Sequence, residues 1–238
     1  MVARVYQWGA GLMARLFPPT CLLCGAPGSA GLDLCLGCLT DLPANHHACF
    51  RCAQPLPDQA PAGGPCGRCL RRPPQFDHCF TPYQYRDPVA HLIRGLKYGQ
   101  RLSHARLLAQ LMVQGWEQAG ESKPDLLVPV PLHGSRLRER GFNQAVELAR
   151  PLAHVLGVPL DLTSCMRQRA TEHQTGLDAA ARRRNLRDAF RLYRPITAAH
   201  VALIDDVVTT GSTGGELARL LKRAGVARVD LWAVAKRI

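Results

Sequence analysis

The sequence has no apolar run that approaches the roughly 20 residues needed to cross a bilayer, so we expect no integral membrane segment. Acidic residues are few: 18 Asp and Glu stand against 30 Lys and Arg, which gives a formal charge of +12. Lysine is missing from residues 133–194, where twelve arginines accompany six acidic residues. Hydrophobic residues at 47% exclude a disordered chain. The excess of arginine suits a polyanionic ligand, with solvated helix faces as the alternative.

The first 17 residues lack the small-residue cleavage site of a signal peptide, although they carry an early arginine and a short apolar stretch. Their apolar residues recur at helical spacing. We therefore expect an amphipathic helix over 1–17, with secretion as the alternative. The opening Met1-Val-Ala offers no N-terminal cysteine, which argues against an amide hydrolase that uses one.

Cysteine, in contrast, is abundant, and eight of the ten cysteines form Cys-x-x-Cys pairs. A two-residue gap is poor geometry for a structural disulfide but brings two thiolates onto one metal ion. Redox activity of a single pair is the alternative, which four pairs in series disfavour. Thiols that stay reduced belong in a reducing compartment, so we expect a cytoplasmic protein. The pairs are Cys21/Cys24, Cys35/Cys38, Cys49/Cys52 and Cys66/Cys69.

The spacing of the pairs is that of two successive zinc ribbons, each made of two knuckles joined by a short hairpin. We expect a double zinc-ribbon module over 18–75 that holds two structural Zn²⁺ ions, because so short a segment buries little apolar surface. A sequential assignment forms one site from the first two pairs and another from the last two. An interleaved pairing stays open. Cys79 and Cys165 stand alone in strand-like segments and are expected to be buried.

From about residue 76 onward, apolar strands alternate with helical patterns. This alternation predicts an α/β domain over 76–238, with a mostly parallel sheet covered by helices on both faces. The strand-like runs are Phe76–Tyr85, Leu126–Pro131, Leu160–Met166, Ala189–Leu192, Val201–Asp205 and Val229–Ala235. The helical segments lie near 88–97, 101–118, 136–156, 178–186 and 213–224.

The most informative stretch begins at Val201, where an apolar strand ends in Asp205 and Asp206. The small, hydroxyl-rich loop that follows opens a helix. Its backbone N–H groups and hydroxyl donors, together with the positive end of the helix dipole, suit a phosphate monoester. The paired carboxylates lie where ribose hydroxyls would bind. The spacing and lysine of a P-loop are absent, and an ordinary turn capped by a hydroxyl side chain is the alternative. The small loop residues are Thr209, Thr210, Gly211, Ser212 and Thr213.

The stretch Ile204-Asp-Asp-Val-Val-Thr-Thr-Gly-Ser-Thr resembles the phosphoribosyl pyrophosphate signature of type I phosphoribosyltransferases. Further blocks narrow the resemblance to the ComF/GntX family, in which a cysteine-rich zinc module precedes such a domain. The resemblance spans essentially the whole chain and implies a type I phosphoribosyltransferase fold, a mostly parallel sheet flanked by helices. The blocks are Leu92-Ile-Arg-Gly-Leu-Lys-Tyr-Gly, Val128-Pro-Val-Pro-Leu-His, Arg140-Gly-Phe-Asn-Gln and Arg169-Ala-Thr-Glu-His-Gln-Thr-Gly-Leu.

The resemblance also implies roles for individual residues. Asp205 and Asp206, the catalytic pair, would hold the ribose 2- and 3-hydroxyls of phosphoribosyl pyrophosphate, and residues 209–213 would hold its 5-phosphate. Residues 130–134 correspond to a pyrophosphate loop and 167–187 to a mobile flap, and Mg²⁺ would accompany the pyrophosphate. The further substrate contacts would come from Lys97, Arg138, Arg140, Asn143 and Gln174.

Two functions stay open, because this fold serves both enzymes and binding proteins. The first is a phosphoribosyltransferase with an unidentified acceptor. The second is a non-catalytic DNA-processing accessory that uses the ligand site as a sensor and the zinc module for contacts with DNA or protein. The resemblance implies a role in natural competence, with single-stranded DNA and competence proteins as partners, or in the use of DNA as a nutrient.

Overall fold

The structure is a computed structural model that describes residues 18–29, 31–61, 63–168 and 189–238. The helix expected over 1–17, the helix expected near 178–186 and Gln174 lie outside the described residues. The chain divides into two compact units, with the boundary between Leu42 and Pro43. Each unit contains four of the eight paired cysteines.

In its described residues, the first unit is a small ribbon of two knuckles and one short helix, α1, Leu36–Thr40. Its first knuckle closes where the Cys21 N–H donates to Ala26 O over 2.8 Å and the Gly25 N–H donates to Cys21 O over 2.9 Å. Gly25 has a φ of +77°, a left-handed conformation that favours glycine. Since α1 buries none of its side chains, the buried side chains of this ribbon lie outside the helix, and they include Cys21 and Leu34.

The second unit is built on a five-stranded sheet with the order β1-β7-β6-β3, in which β2 also pairs with β7. These pairings are all parallel, whereas β4 and β5 form a separate antiparallel pair. The expected α/β architecture is therefore confirmed, and each expected strand overlaps an observed one. The strands are β1 His78–Phe80, β2 Tyr83–Gln84, β3 Leu126–Pro129, β4 Cys165–Arg167, β5 Phe190–Leu192, β6 His200–Val208 and β7 Arg228–Lys236.

The helices of this unit are α2 Gly67–Arg71, α3 Val89–Gly99, α4 Leu102–Ala119, α5 Gly134–Arg140, α6 Gln144–Leu156 and α7 Ser212–Arg223. One expectation was wrong, because the single helix expected over 136–156 is two helices. Gly141 ends α5 with a φ of +79°, a conformation that stops a right-handed helix. The Asn143 side chain then accepts a hydrogen bond from the Ala145 N–H over 3.0 Å and caps α6.

The main apolar core lies around the two central strands, β6 and β7. Every residue of β7 after Arg228 is buried, which explains the continuous apolar run in its sequence. Trp232 of β7 is 1% exposed and contacts Phe80 edge-on, with ring centroids 5.8 Å apart. None of the helices in the described part of the chain is both long and apolar enough to span a bilayer.

The second cysteine-rich segment belongs to the same unit as the sheet. The Cys79 N–H of β1 donates to Phe50 O over 3.0 Å. The buried Asn45 amide donates to Ala53 O over 3.1 Å and to Thr81 Oγ1 over 3.0 Å. Ala53 is 2% exposed and packs in the main apolar core. The second ribbon is thus fixed against the edge of the sheet by hydrogen bonds and by apolar packing.

Candidate functional site

The paired cysteines lie in two clusters, and in each cluster the four Sγ atoms lie within 4.8 Å of one another. This grouping decides in favour of the sequential pairing. All ten cysteines of the chain are free thiols, and the unpaired Cys79 and Cys165 are buried, as expected. The first cluster is Cys21, Cys24, Cys35 and Cys38, and the second cluster is Cys49, Cys52, Cys66 and Cys69.

The separation of the sulfurs fits a tetrahedral metal ion. The Sγ atoms of Cys24 and Cys35 are 3.7 Å apart, as are those of Cys52 and Cys66. A disulfide needs about 2.05 Å, whereas a tetrahedral site with Zn–S bonds of about 2.3 Å places its sulfurs about 3.8 Å apart. Both clusters therefore have the ligand number, atom type and spacing of a structural zinc site.

In each cluster, backbone N–H groups lower the pKa of one thiol and so favour its thiolate, the form that binds zinc, whereas burial raises the pKa of Cys52 to about 11. The Cys66 N–H donates to Cys49 Sγ over 3.1 Å. Burial acts to raise the pKa of Cys21, but hydrogen bonds from backbone N–H groups lower it to about 6. Burial is likewise outweighed by hydrogen bonds at Cys66, whose pKa falls to about 7.

Residues 209–213, the phosphate loop, connect the carboxyl end of β6 to α7. Thr210 Oγ1 lies 2.7 Å from Ser212 Oγ and accepts from the Ser212 N–H over 3.3 Å. Gly211, with a φ of +74°, is the N-cap of α7 and provides no side-chain hydrogen bond, so neither Ser212 nor Thr213 is the cap of the alternative interpretation, although the Thr210 hydroxyl accepts from an N–H of the first turn. Hydroxyls, loop backbone and the positive end of a helix dipole meet at one sheet edge, as a phosphate site requires.

Asp206 is 3% exposed and lies against α3 and α6. Its carboxylate forms an ion pair with Lys97 and accepts a hydrogen bond from the Gln144 amide over 3.5 Å. Burial alone would raise the pKa of Asp206, but the Lys97 ammonium lowers it below its usual value. The pKa of Lys97 is raised in turn, because the charge of Asp206 outweighs the effect of burial. The negative charge of Asp206 is thus balanced within the protein by the positive charge of Lys97.

Asp205 is the more accessible of the two acids. Its Oδ1 accepts from the Asp206 N–H over 2.9 Å. Its carboxyl group also lies close enough to that of Asp206 for the two side chains to interact, and its charge acts on Arg167. Burial and the adjacent charge of Asp206 raise the pKa of Asp205 well above its ordinary value. A carboxylate with a perturbed pKa at a strand end is typical of a ligand site.

Residues 130–134, which the resemblance assigns to pyrophosphate, follow β3, the neighbour of β6. The Val130 N–H donates to Ile204 O over 2.9 Å, so this loop starts beside the strand that carries the paired acids. His133 then caps α5, since its Nδ1 accepts from the Ser135 N–H over 3.2 Å. The two loops leave the same edge of the sheet from adjacent strands, as ligand-binding loops do in parallel α/β sheets.

The residues that were expected to contact the substrate do not all lie at the site in the same way. Lys97 reaches the site, but its ammonium is paired with Asp206. Asn143 caps α6 and donates to Val130 O over 3.1 Å, which fixes the start of residues 130–134. Arg138 lies on α5 beside these residues. Gln174 lies outside the described residues.

Arg140 connects an exposed aromatic ring to the buried acid. Its guanidinium lies 5.6 Å from the ring centroid of Tyr98, which is 75% exposed. It also donates to Gln144 Oε1 over 2.7 Å, and Gln144 in turn donates to Asp206. Sequence reasoning did not assign Gln144 to the site, although Gln144 ends the family block that starts at Arg140.

Two cations next to the phosphate loop were also missed. Lys236, 4% exposed at the end of β7, donates to Thr209 O over 2.5 Å. Arg68, on α2 in the second ribbon, donates from Nη2 to Thr210 O over 3.4 Å. The two residues stand 27 and 142 positions away from their partners. No local pattern in the sequence could connect them to the loop.

Comparison with known proteins gives the chain relatives over nearly its whole length. Residues 12–70 match a family model described as a double zinc ribbon domain. The chain is 38% identical over 226 residues to the DNA utilization protein YhgH of Salmonella typhimurium, which covers 93% of this chain and 98% of that protein. It is 33% identical over 232 residues to the Competence protein F of Haemophilus influenzae, with 94% of this chain and 100% of that protein covered.

Solved structures similar to this chain include two phosphoribosyltransferases. One is a purine phosphoribosyltransferase from Pyrococcus horikoshii Ot3, with a TM-score of 0.34, 16% identity, and 56% of this chain and 82% of that chain covered. The other is the hypoxanthine phosphoribosyl transferase of Trypanosoma cruzi, with a TM-score of 0.31, 17% identity, and 62% and 74% covered.

Proposed function

The chain belongs to the family of the DNA utilization protein YhgH and Competence protein F, and from this premise we propose that it binds phosphoribosyl pyrophosphate, or a related ribose 5-phosphate, at the carboxyl end of β6. We propose further that this binding serves DNA uptake in natural competence or the use of DNA as a nutrient. The grouping of eight cysteines into two clusters with the spacing of zinc sites supports a reducing compartment, the cytoplasm, because thiols that bind metal must stay reduced.

One observation carries the proposal: the paired acids, the phosphate loop and the N-terminus of α7 lie at the end of one strand. A ribose 5-phosphate has vicinal hydroxyls at one end and a phosphate at the other. A carboxylate accepts strong hydrogen bonds from hydroxyls, and loop N–H groups, hydroxyls and a helix dipole hold a phosphate. Because Asp206 is paired with Lys97, we assign the main hydroxyl contact to Asp205.

The pyrophosphate of the ligand would lie against residues 130–134. Positive charge for it is available from Arg136 and Arg138 on α5 and from Arg167 on β4. Mg²⁺ binds mostly water and phosphate oxygens and needs only one or two carboxylates. Asp205 is partly exposed and fits that requirement. When bound, Mg²⁺ neutralises charge on the pyrophosphate, while the protein's own residues orient the ribose and the 5-phosphate.

Calorimetric titration with Mg²⁺ present tests the site. We expect phosphoribosyl pyrophosphate and ribose 5-phosphate to bind the parent protein. Thr210→Val removes a hydroxyl from the phosphate loop and should weaken both by about fivefold. Thr197→Val is the matched control, because Thr197 is exposed and precedes β6, at the opposite end of that strand. A parent protein that binds neither ligand contradicts the proposal.

Turnover separates an enzyme from a sensor. The enzyme releases pyrophosphate when phosphoribosyl pyrophosphate is mixed with a suitable acceptor, whereas the sensor binds the ligand and leaves it intact. A panel of nitrogenous acceptors with a pyrophosphate assay distinguishes the two. Asp205→Asn is the negative control, because it keeps the size of the side chain and removes its charge.

The second candidate, a DNA-processing accessory, is favoured by the charge of +12 and by the arginine-rich segment 133–194. Binding through phosphates releases counterions, so affinity for single-stranded oligonucleotides should fall by about tenfold or more between about 50 and 200 mM salt. Base sequence should matter little, since aromatic residues make up only 6% of the chain. Salt-independent or strongly sequence-specific binding contradicts this candidate.

A further inference from the structure

Arg68 connects the second cluster to the phosphate loop. It lies on α2, a helix of five residues that begins after Cys66 and contains the buried Cys69. Its exposed guanidinium donates to Thr210 O over 3.4 Å. A helix this short does not hold its shape alone. The position of Arg68 therefore depends on Cys66, which precedes α2, on Cys69 within α2, and on what these two cysteines bind.

Lys236 provides a second connection. Its ammonium donates to Thr209 O over 2.5 Å and to Arg237 O over 2.8 Å, so it holds the backbone where the phosphate loop starts. It lies close enough to the second cluster for charge on Cys52 and Cys66 to act on it. Four thiolates around one Zn²⁺ carry a net charge of about −2. That charge adds to these two hydrogen bonds in offsetting the hydration that the buried ammonium loses.

The third connection is apolar. Ala53 directly follows Cys52 and shares the main core with Phe76 and Val208. Phe76 is 1% exposed and packs against the loop at Gly211, where an added Cβ would lie 3.1 Å from Phe76 Cζ. The phosphate loop therefore rests on side chains against which the second ribbon also packs.

We propose that the second cluster positions the phosphate loop through Arg68 and Lys236, so that metal bound in this cluster raises the affinity of the loop for a phosphate monoester. Among the described residues, two of the three connections to the loop start from the ribbon of the second cluster, and the third, Lys236, lies on β7 within reach of the charge of that cluster. Arg68 and Lys236 are positioning residues that act through the loop backbone. The inference rests on the proposed function only in taking residues 209–213 as a phosphate site.

A pair of arginine variants tests the direct contact, with ribose 5-phosphate as the probe. Arg68→Ala should lower its affinity about fivefold and leave the urea midpoint of unfolding unchanged, because Arg68 is exposed. Arg68→Lys should recover part of the loss. Arg71→Ala removes the same charge from the same helix and should leave the affinity unchanged. Equal affinities for parent and Arg68→Ala, or an equal loss in Arg71→Ala, overturn the positioning role.

A pair of cysteine variants tests the role of the metal. Cys66 and Cys35 hold equivalent places, each as the third cysteine of its cluster and the residue before a five-residue helix. Cys66→Ser and Cys35→Ser should each lose one equivalent of zinc. Only Cys66→Ser should weaken ribose 5-phosphate binding, by about tenfold or more, and speed amide hydrogen exchange in residues 209–213. Equal effects of the two variants, or none from Cys66→Ser, overturn the proposal.

Two outcomes separate this inference from the proposed function. If the parent protein does not bind ribose 5-phosphate, the proposed function fails, while hydrogen exchange in the loop of the two cysteine variants still tests the connection. If the parent binds and the Arg68 and Cys66 variants bind equally well, the connection fails and the proposed function stands. Should Cys66→Ser not fold, the arginine pair decides.

Discussion

At the scale of single residues, the two adjacent acids at the end of β6 experience opposite electrostatic environments. Asp206 forms an ion pair with Lys97, whereas burial and the charge of Asp206 act against ionisation of Asp205. The charge of Asp206 therefore stabilises the fold, whereas ionisation of Asp205 carries a cost. Such a cost at a strand end is typical of sites kept for a ligand.

Asparagine substitutions should shift the stability in opposite directions at these two positions. Asp205→Asn removes a charge that is unfavourable in the folded state and should raise the free energy of unfolding at pH 7 by about 1 kcal/mol, while weakening binding of ribose 5-phosphate. Asp206→Asn leaves Lys97 unpaired and should lower the free energy of unfolding by about 3 kcal/mol. Urea denaturation measures both values, and equal signs would contradict the assignment.

The pair of Lys97 and Asp206 also predicts a pH dependence. The folded pKa of Asp206 is lowered, so its stabilisation is present above the unfolded pKa and lost as pH falls through the folded value. The folded pKa of Lys97 is raised, so its stabilisation is present below the unfolded pKa and lost as pH rises through the folded value. The stability difference between parent and Asp206→Asn should stay constant from about pH 5 to 9 and shrink below about pH 4. A difference that does not change in acid contradicts this.

At the scale of elements, two glycines differ in whether they tolerate a side chain. One lies in the connection from β6 to α7, and the other lies inside α7. Gly211 has a φ of +74° and lies against Phe76. Gly215 is inside α7, where an added Cβ meets nothing within 4 Å. The two positions therefore make a matched pair for alanine substitution within one loop and helix.

Gly211→Ala should lower the free energy of unfolding by about 2 kcal/mol, because the left-handed conformation and the contact with Phe76 both penalise a Cβ. It should also weaken phosphate binding, since the loop must shift. Gly215→Ala should raise the free energy of unfolding by about 0.5–1 kcal/mol through helix propensity. Thermal or urea unfolding checks both variants. A neutral Gly211→Ala would show that the loop conformation is not needed.

At the scale of the whole molecule, the two ribbons divide between the two compact units. The second ribbon is hydrogen-bonded to the edge of the sheet and shares its core. A single cysteine-rich segment in the sequence thus contributes to two different parts of the fold.

Metal content is the prediction that belongs to this scale. Protein purified without added zinc should contain close to two equivalents per chain, because two clusters of four thiols have the spacing of zinc sites. Chelation should unfold the ribbons first, since their folding depends on the metal. A value near zero in folded protein contradicts the zinc sites, and one equivalent would mean that one cluster binds no metal.

The sequence alone determined the features whose signals are local. Cysteine pairs two residues apart, an alternation of strand and helix patterns, and an acid pair followed by small hydroxyl residues all lie within short windows. Each follows from local backbone geometry or metal chemistry. Even the break in the helix expected over 136–156 has a local signal, Gly141 followed by Asn143, which the apolar periodicity concealed.

Only the tertiary structure decided which acid pairs with a lysine and which side chains contact the backbone of residues 209–213. Lys97 reaches Asp206 from another helix, and Arg68 reaches Thr210 across 142 residues. The choice between sequential and interleaved cysteine pairing was likewise made by the fold. Such pairings arise from many packing contacts between elements distant in the chain. No short window of sequence contains both partners, so their meeting is a property of the folded chain.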